Sequence, residues 1–275
     1  MKSSSGNKNF IIGLVFCAIA VVAWQLWADS SPRPDSTPNI STTAFGNLLD
    51  VKTNPNLMPE EKVVYPGMDI SFNSRFHEPN WVAWELTDKE TEGNVGRENK
   101  FYCDEAVAGC ADHYDYNYSG YDRGHMAPAG DMKWSEESMH ASFSMANICP
   151  QAKALNTGAW KRLEEKCRVW AKADGAIFIV CGPVLTDEPA DYIGDSRVAV
   201  PRRFFKVILS PYGDRMRGIG FIMPNDKVPG GMQAAAVSID EVERVTGHDF
   251  FSSLPDEIEN EVEKQCDFHY WSTHK

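Results

Sequence analysis

The chain has 275 residues, 43% of them hydrophobic and 24% charged, which is ordinary globular composition and enough for one large core. No linker-like stretch interrupts residues 60–270, so one domain is expected there rather than two. The formal net charge of −12 argues against non-specific coating of polyanions, because phosphate contacts need lysine and arginine.

In chain order, the first feature is FIIGLVFCAIAVVAWQLWA (10–28), an apolar run broken only by Gln25, with Lys2 and Lys8 before it and Asp29 after. At 1.5 Å per residue it can just span a bilayer. The expectation is a signal-anchor or a signal peptide over 1–28, with the lysines in the cytoplasm. The body would then be exported: extracytoplasmic, either membrane-anchored by a single pass or secreted or periplasmic. If the segment is uncleaved, the membrane is a partner. Residues 29–48, rich in Ser, Pro and Thr, read as a flexible linker, and 49–275 as the working domain.

PNWVAWELT (79–87) alternates like a strand. SEESMHAS (135–142) reads as a short helix with acids in its first turn, and ASFSMANICP (141–150) as a strand ended by Pro150. NTGAWKRLEEKCRVWAKADG (156–175) is the strongest helix. Trp160, Leu163, Cys167, Trp170 and Ala171 form one apolar stripe, and Gly175 is a good stop. AIFIVCGPVL (176–185), VPRRFFKVILSP (200–211) and MRGIGFIMPN (216–225) read as further strands. SIDEVERVTGHDFF (238–251) reads as a helix stopping near Gly247, and LPDEIENEVEKQC (254–266) as another. Strands mixed with a few helices predict an α+β fold in packed layers. Locally, 121–174 reads as strand, strand, helix.

Six of the seven cysteines lie beyond the apolar segment, and Cys103–Cys110 is the natural local disulfide in an oxidising compartment. With His113 and His140 the same pair imitates a zinc site, though C-x6-C-x2-H is not a usual zinc-finger spacing. The charge is uneven: residues 151–174 hold six basic residues against three acidic ones, while acids gather in 256–267. A local basic face on an acidic body is compatible with a polyanionic substrate, and equally with a solvated helix.

YDRGHMAPAGDM (121–132) sets one histidine among small residues and loop formers. Alone, His125 reads as base, metal ligand or structural histidine. Hydrolysis of a phosphodiester needs a group near neutrality to take a proton from water, and positive charge on the phosphate and the leaving oxygen. Asn156, at the mouth of the helix, can offer an amide oxygen to a hard cation, although an asparagine there is also a natural N-cap. On a straight helix Glu164 lies roughly 12 Å further along and about 80° around.

DRGH (122–125), NICPQ (147–151) and NTGAWKRLE (156–164) together resemble the DNA/RNA non-specific endonuclease family of the ββα-metal superfamily, which includes endonuclease G. PNWVAWEL (79–86), GPV (182–184) and TGHDFFSSLPD (246–256) also look like family blocks, so the resemblance spans about residues 60–260. It implies a ββα-metal fold, with sheet and helices in layers, and metal-dependent cleavage of DNA and RNA without sequence preference. It implies His125 as the general base, with Arg123 beside it. Asn156 would be the protein ligand of a single Mg²⁺, with Mn²⁺ as the alternative, and Glu164 would hydrogen-bond to water on the metal. Arg97 resembles an upstream arginine that contacts the phosphate. Arg168, four residues after Glu164, can meet it on one helix face and touch substrate. Asn147 is expected to support the site and contact substrate. Cys149 stands where the family commonly has Ser or Thr. A homodimer is compatible with the resemblance. The competing classes are a phosphodiesterase of another substrate and a catalytically weak nucleic-acid-binding surface protein on the same fold.

Overall fold

The computed structural model describes residues 47–57, 60–212 and 215–275. The apolar run 10–28 and most of the 29–48 linker lie outside these residues. Among the described residues no helix is long and apolar enough to cross a membrane.

The strands in chain order are β1 (Val51–Lys52), β2 (Glu61–Tyr65), β3 (Met68–Asn73), β4 (Glu78–Thr87), β5 (Asp122–His125), β6 (Ile148–Gln151), β7 (Ala176–Pro183), β8 (Asp191–Ile193), β9 (Val198–Val200), β10 (Arg203–Ser210), β11 (Arg217–Pro224), β12 (Ala236–Val237) and β13 (Asp249–Phe250). The α-helices are α1 (Glu136–Ser142), α2 (Lys161–Asp174), α3 (Gly231–Ala235), α4 (Ile239–Thr246), α5 (Asp256–Glu263) and α6 (Phe268–Thr273). Seven strands form one antiparallel sheet in the order β12-β11-β10-β7-β4-β3-β2. The arrangement is the predicted α+β.

Successive side chains of a strand point to opposite faces, and the central strands divide accordingly. Val82, Trp84, Ile177, Ile179, Phe204 and Ile208 join one core with Trp160, Leu163 and Trp170. Trp81, Ala83, Phe178, Val180, Phe205 and Val207 join another with Ile239, Val242, Phe250 and Val262. One face of the sheet therefore packs on α2, the other on α4 and α5. Both faces of β4 and β7 are covered, which explains why these strands read as nearly continuous apolar runs. Truncating a fully buried side chain such as Leu163 to alanine costs about 2–5 kcal/mol.

Two predicted elements are corrected. The strand expected over 141–150 begins only at Ile148. Residues 141–142 finish α1, and Ser144 caps a 3₁₀ turn over Met145–Asn147 by accepting from the Ala146 N–H. The helix expected from 156 begins at Lys161; Leu155–Trp160 form a wider turn whose path breaks at Gly158 (φ −105°, ψ −113°). Gly175 and Gly247, both at positive φ, end α2 and α4 as predicted.

Candidate active site

β5 carries the DRGH block and pairs with β6, Gly124 opposite Cys149 and His125 opposite Ile148. A side chain at 124 would collide with Gln151, so glycine is what lets this pair close. Asn147 fixes the chain just after His125. Its Nδ2 donates to the carbonyls of Ala127 and Ser142, and its Oδ1 accepts from the Ala127 N–H, each at 2.9 Å. Asn147 is fully buried and does not line the cleft, so the expected substrate contact is corrected: its polar atoms face backbone, not solvent.

A cleft of about 330 Å³ opens beside this strand pair. Among its lining residues are His125, Asn156, Glu164, Arg97, Arg123 and Arg168. The His125 ring packs between Phe101, 5.4 Å away by centroids, and Phe143, 4.9 Å away edge to face. It is 9% exposed, and its Nε2 has no hydrogen-bond partner. Burial first, then the charge of Arg97, pushes its pKa down to about 3, while the backbone of Arg123, accepting from the ring, pulls the other way. The imidazole is therefore neutral across the physiological range, with Nε2 free to accept a proton.

Asn156 is held by Asp122: its Nδ2 donates to Asp122 Oδ2 at 2.9 Å. A carboxylate accepts only, so the amide nitrogen must be the atom facing it, and Oδ1 is turned the other way. A hard oxygen in a cleft that also holds a carboxylate, Glu164, fits the needs of a hard divalent cation. The break at Gly158 takes Asn156 off the axis of α2, so the straight-helix separation of Asn156 and Glu164 does not apply, and the two residues line one cleft.

Burial pushes Glu164 up to about 7. Lys206 opposes this most strongly, ahead of Arg168 and Arg97, while Asp131 adds to the rise. Lys206 is fully buried on β10, its Nζ 4.5 Å from the Trp160 ring centroid and 4.9 Å from that of Trp84. Arg168 does not pair with Glu164 as helix spacing suggested. Its Nη1 donates to Asp131 Oδ1 at 2.7 Å, and Asp131 Oδ2 accepts from Trp84 Nε1 at 3.2 Å. Arg123 reaches the cleft only in part, since its guanidinium donates to the His113 carbonyl and to Asn117 Oδ1 and lies over Phe101 and Tyr116. Arg97, exposed, stacks over Phe143 at 5.1 Å.

Sequence reasoning missed Asp131, Lys206, Phe101, Phe143 and the grip of Asp122 on Asn156. Lys206 left a signal: a lone cation at a core-facing position of an apolar strand. The expected Cys103–Cys110 disulfide is not shown. All six described cysteines are free, and Cys103 Sγ donates to the Cys110 carbonyl at 3.2 Å. The zinc look-alike does not assemble. His140 stacks on Tyr102 and faces Glu98, while His113 faces Asp112.

The model of the DNA/RNA non-specific endonuclease family matches residues 49–257. The chain belongs to that family. Nuclease EXOG, mitochondrial, of Danio rerio is 35% identical over 271 residues, covering 90% of this chain and 76% of the relative. A nuclease of Nostoc sp. is 31% identical, covering 86% of this chain and 90% of the relative. Among solved structures, EndoG in the EndoG/EndoGI complex superposes with a TM-score of 0.68 at 27% identity, covering 74% of this chain and 90% of that one. The fold is thus that of EndoG, and the chain is a hydrolase acting on nucleic acids, in a metal-dependent nuclease family.

These relatives correct the expected location. Several are named as mitochondrial, including EXOG of Danio rerio, endonuclease G of Bos taurus and a nuclease of Saccharomyces cerevisiae, which overturns the expectation of an exported, extracytoplasmic protein. The inference failed because an apolar N-terminal run led by lysines is a composition, and composition does not specify which membrane system reads it.

Proposed function

We propose that this protein is a sugar-non-specific endonuclease that hydrolyses phosphodiester bonds of DNA and RNA, with His125 as general base and one Mg²⁺, or Mn²⁺, held by Asn156. The observation that carries this reading is the pairing in one cleft of a neutral histidine with a free Nε2 and an asparagine whose oxygen is turned outward by Asp122. When bound, the cation would offset the negative charge on the phosphate and the leaving oxygen.

His125 Nε2 takes a proton from the attacking water. A base held near 3 is weak, but the largest charge opposing its protonation is Arg97, and an incoming phosphate neutralises that charge. Substrate binding therefore raises the basicity of His125 when it is needed. Arg97 and Arg168 grip the phosphate from the rim, with Arg168 steadied by Asp131. Arg123 positions His125 through its backbone and adds positive field at the edge of the cleft. Glu164, partly charge-balanced by Lys206, is the cleft carboxylate that would accept hydrogen bonds from water when the cation is bound. Contacts of this kind read phosphate rather than base edges, consistent with cleavage without sequence preference.

Incubating the full chain with plasmid DNA and with RNA, in Mg²⁺ or in EDTA, tests the reading. Cleavage of both polymers in Mg²⁺ and neither in EDTA is expected. Equal cleavage in EDTA, or none in Mg²⁺ or Mn²⁺, contradicts it.

A further inference from the structure

On the face of the sheet away from the cleft, three carboxylates stand together. Asp240 and Glu243 lie three residues apart on α4 and so share one side of it, and Glu263 comes from the last turn of α5. One oxygen from each lies within 4.8 Å of the others. Glu263 is 6% exposed, and its Oε1 is buried without a hydrogen-bond partner. Glu243 commits Oε1 to the Phe250 N–H at 2.8 Å, leaving its other oxygen.

Among the described residues, no lysine or arginine forms an ion pair with these three carboxylates. The neighbouring charges that act on Glu263 are Glu243, Glu259, Asp240 and Asp249, all acidic. Lys52, which offsets Glu259, is already paired with Asp249 at 2.8 Å, and Arg244 is paired with Glu241 at 2.6 Å. An orphaned buried carboxylate is unfavourable unless a proton or a cation neutralises it. Burial and the surrounding acids push Glu263 up to about 9 and Glu243 up to about 7.

We propose that Asp240, Glu243 and Glu263 form a second cation site, separate from the nuclease cleft, that takes a hard divalent ion of the size of Ca²⁺ and ties α4 to α5. The donor set is all oxygen, which selects hard cations. Ca²⁺ holds its ligands at about 2.3–2.6 Å, so oxygens on opposite sides stand up to about 5 Å apart, and carboxylates within 4.8 Å of one another fit around it. Mg²⁺ demands a tighter octahedron and keeps more of its water, so it suits a carboxylate-rich set less well. Asp240 and Glu243 are partly exposed, which gives the ion an entry path and room for water to complete its shell. The site would act as a clasp on two helices that both pack on β11. A Cβ placed at Gly218 of that strand would meet Ile239 of α4 and Val262 of α5 at once.

The test uses the full chain carrying Asn156→Ala, so that the cleft does not contribute, stripped of metal and titrated with Ca²⁺ by calorimetry and by thermal unfolding. One Ca²⁺ per chain is expected, with a dissociation constant of about 10⁻⁵ to 10⁻³ M and a saturable rise in Tm. Mg²⁺ is expected to bind at least about tenfold more weakly. Adding Glu263→Gln should abolish the Ca²⁺ response while leaving the Tm in EDTA unchanged or higher, because the glutamine is buried neutral without having to take up a proton. Asp240→Asn, at the rim, should weaken binding in a protein that folds normally. Absence of any Ca²⁺ response in Asn156→Ala protein overturns the proposal, since the three acids then merely share protons. So does a response that survives both Glu263→Gln and Asp240→Asn, and Mg²⁺ binding as tightly as Ca²⁺ overturns the choice of ion.

Discussion

On one face of the seven-stranded sheet Asp131 and Glu164 sit among Arg168, Lys206 and Arg97; on the other, Asp240, Glu243 and Glu263 sit among further acids. Burial raises the carboxylates on both faces, so burial alone does not distinguish them. What distinguishes them is the sign of the neighbouring charges. In the cleft Asp131 has a guanidinium at 2.7 Å and an indole N–H at 3.2 Å, and Glu164 has three cations acting on it. Across the sheet, Glu263 has an orphaned oxygen and four acidic neighbours. In the first arrangement the neighbouring cations oppose the effect of burial and hold the carboxylates in position for chemistry. The second leaves a deficit that protons or an added cation must fill.

The comparison can be broken most forcefully at Asp131. Asp131→Ala strands Arg168 and Trp84 Nε1, and should cost about 3–5 kcal/mol in urea unfolding. A loss below about 1 kcal/mol would mean that the charge pairing on the cleft face does little. Asp122→Ala releases the amide of Asn156 and should lower the cleavage rate about 10- to 100-fold at limiting Mg²⁺, with partial recovery at high Mg²⁺. An unchanged dependence on Mg²⁺ would remove Asp122 from the account. Asn147→Ala takes away three hydrogen bonds that clamp residues 127 and 142, and should cost about 2 kcal/mol in thermal unfolding.

The pH dependence of stability in metal-free protein has opposite signs for the two faces. His125 is depressed from 6.5 to about 3, so between these values the unfolded chain binds more protons and stability rises with pH. Glu263 is raised from 4.5 to about 9 and Glu243 to about 7, so there the folded chain binds more protons and stability falls as pH rises. Glu263→Gln should flatten the fall between pH 7 and 9, and His125→Ala should flatten the rise at acid pH. Denaturant midpoints across the range would show whether each limb belongs to its face.

Much of the cleft face was legible in the sequence, because its residues sit in two compact blocks, DRGH and NTGAWKRLE, which the fold brings to one cleft, while NICPQ supplies the strand that pairs with DRGH. The apolar stripe of α2 and the glycine stops were also legible, since helical period and positive φ are local properties. What was not legible depended on tertiary partners. Asp122 and Asn156 are 34 residues apart, and Arg168 turned to Asp131 rather than to its helical neighbour Glu164. Glycine at 158 broke a helix that the apolar periodicity had continued through it. A capping serine, Ser144, shortened a strand that composition had lengthened. The acidic site on the far face was invisible for the same reason: its members come from two helices and meet only in the fold. Residues 254–266 read simply as an acidic helix.

The measurement that bears most directly on the cleft is the rate of plasmid cleavage by His125→Ala in saturating Mg²⁺, with thermal unfolding run on the same sample. A general base supplies about 10²- to 10⁴-fold, so the rate should fall by that much while the protein stays folded. A folded His125→Ala protein that cleaves at the wild-type rate would contradict the assignment of His125 as the base.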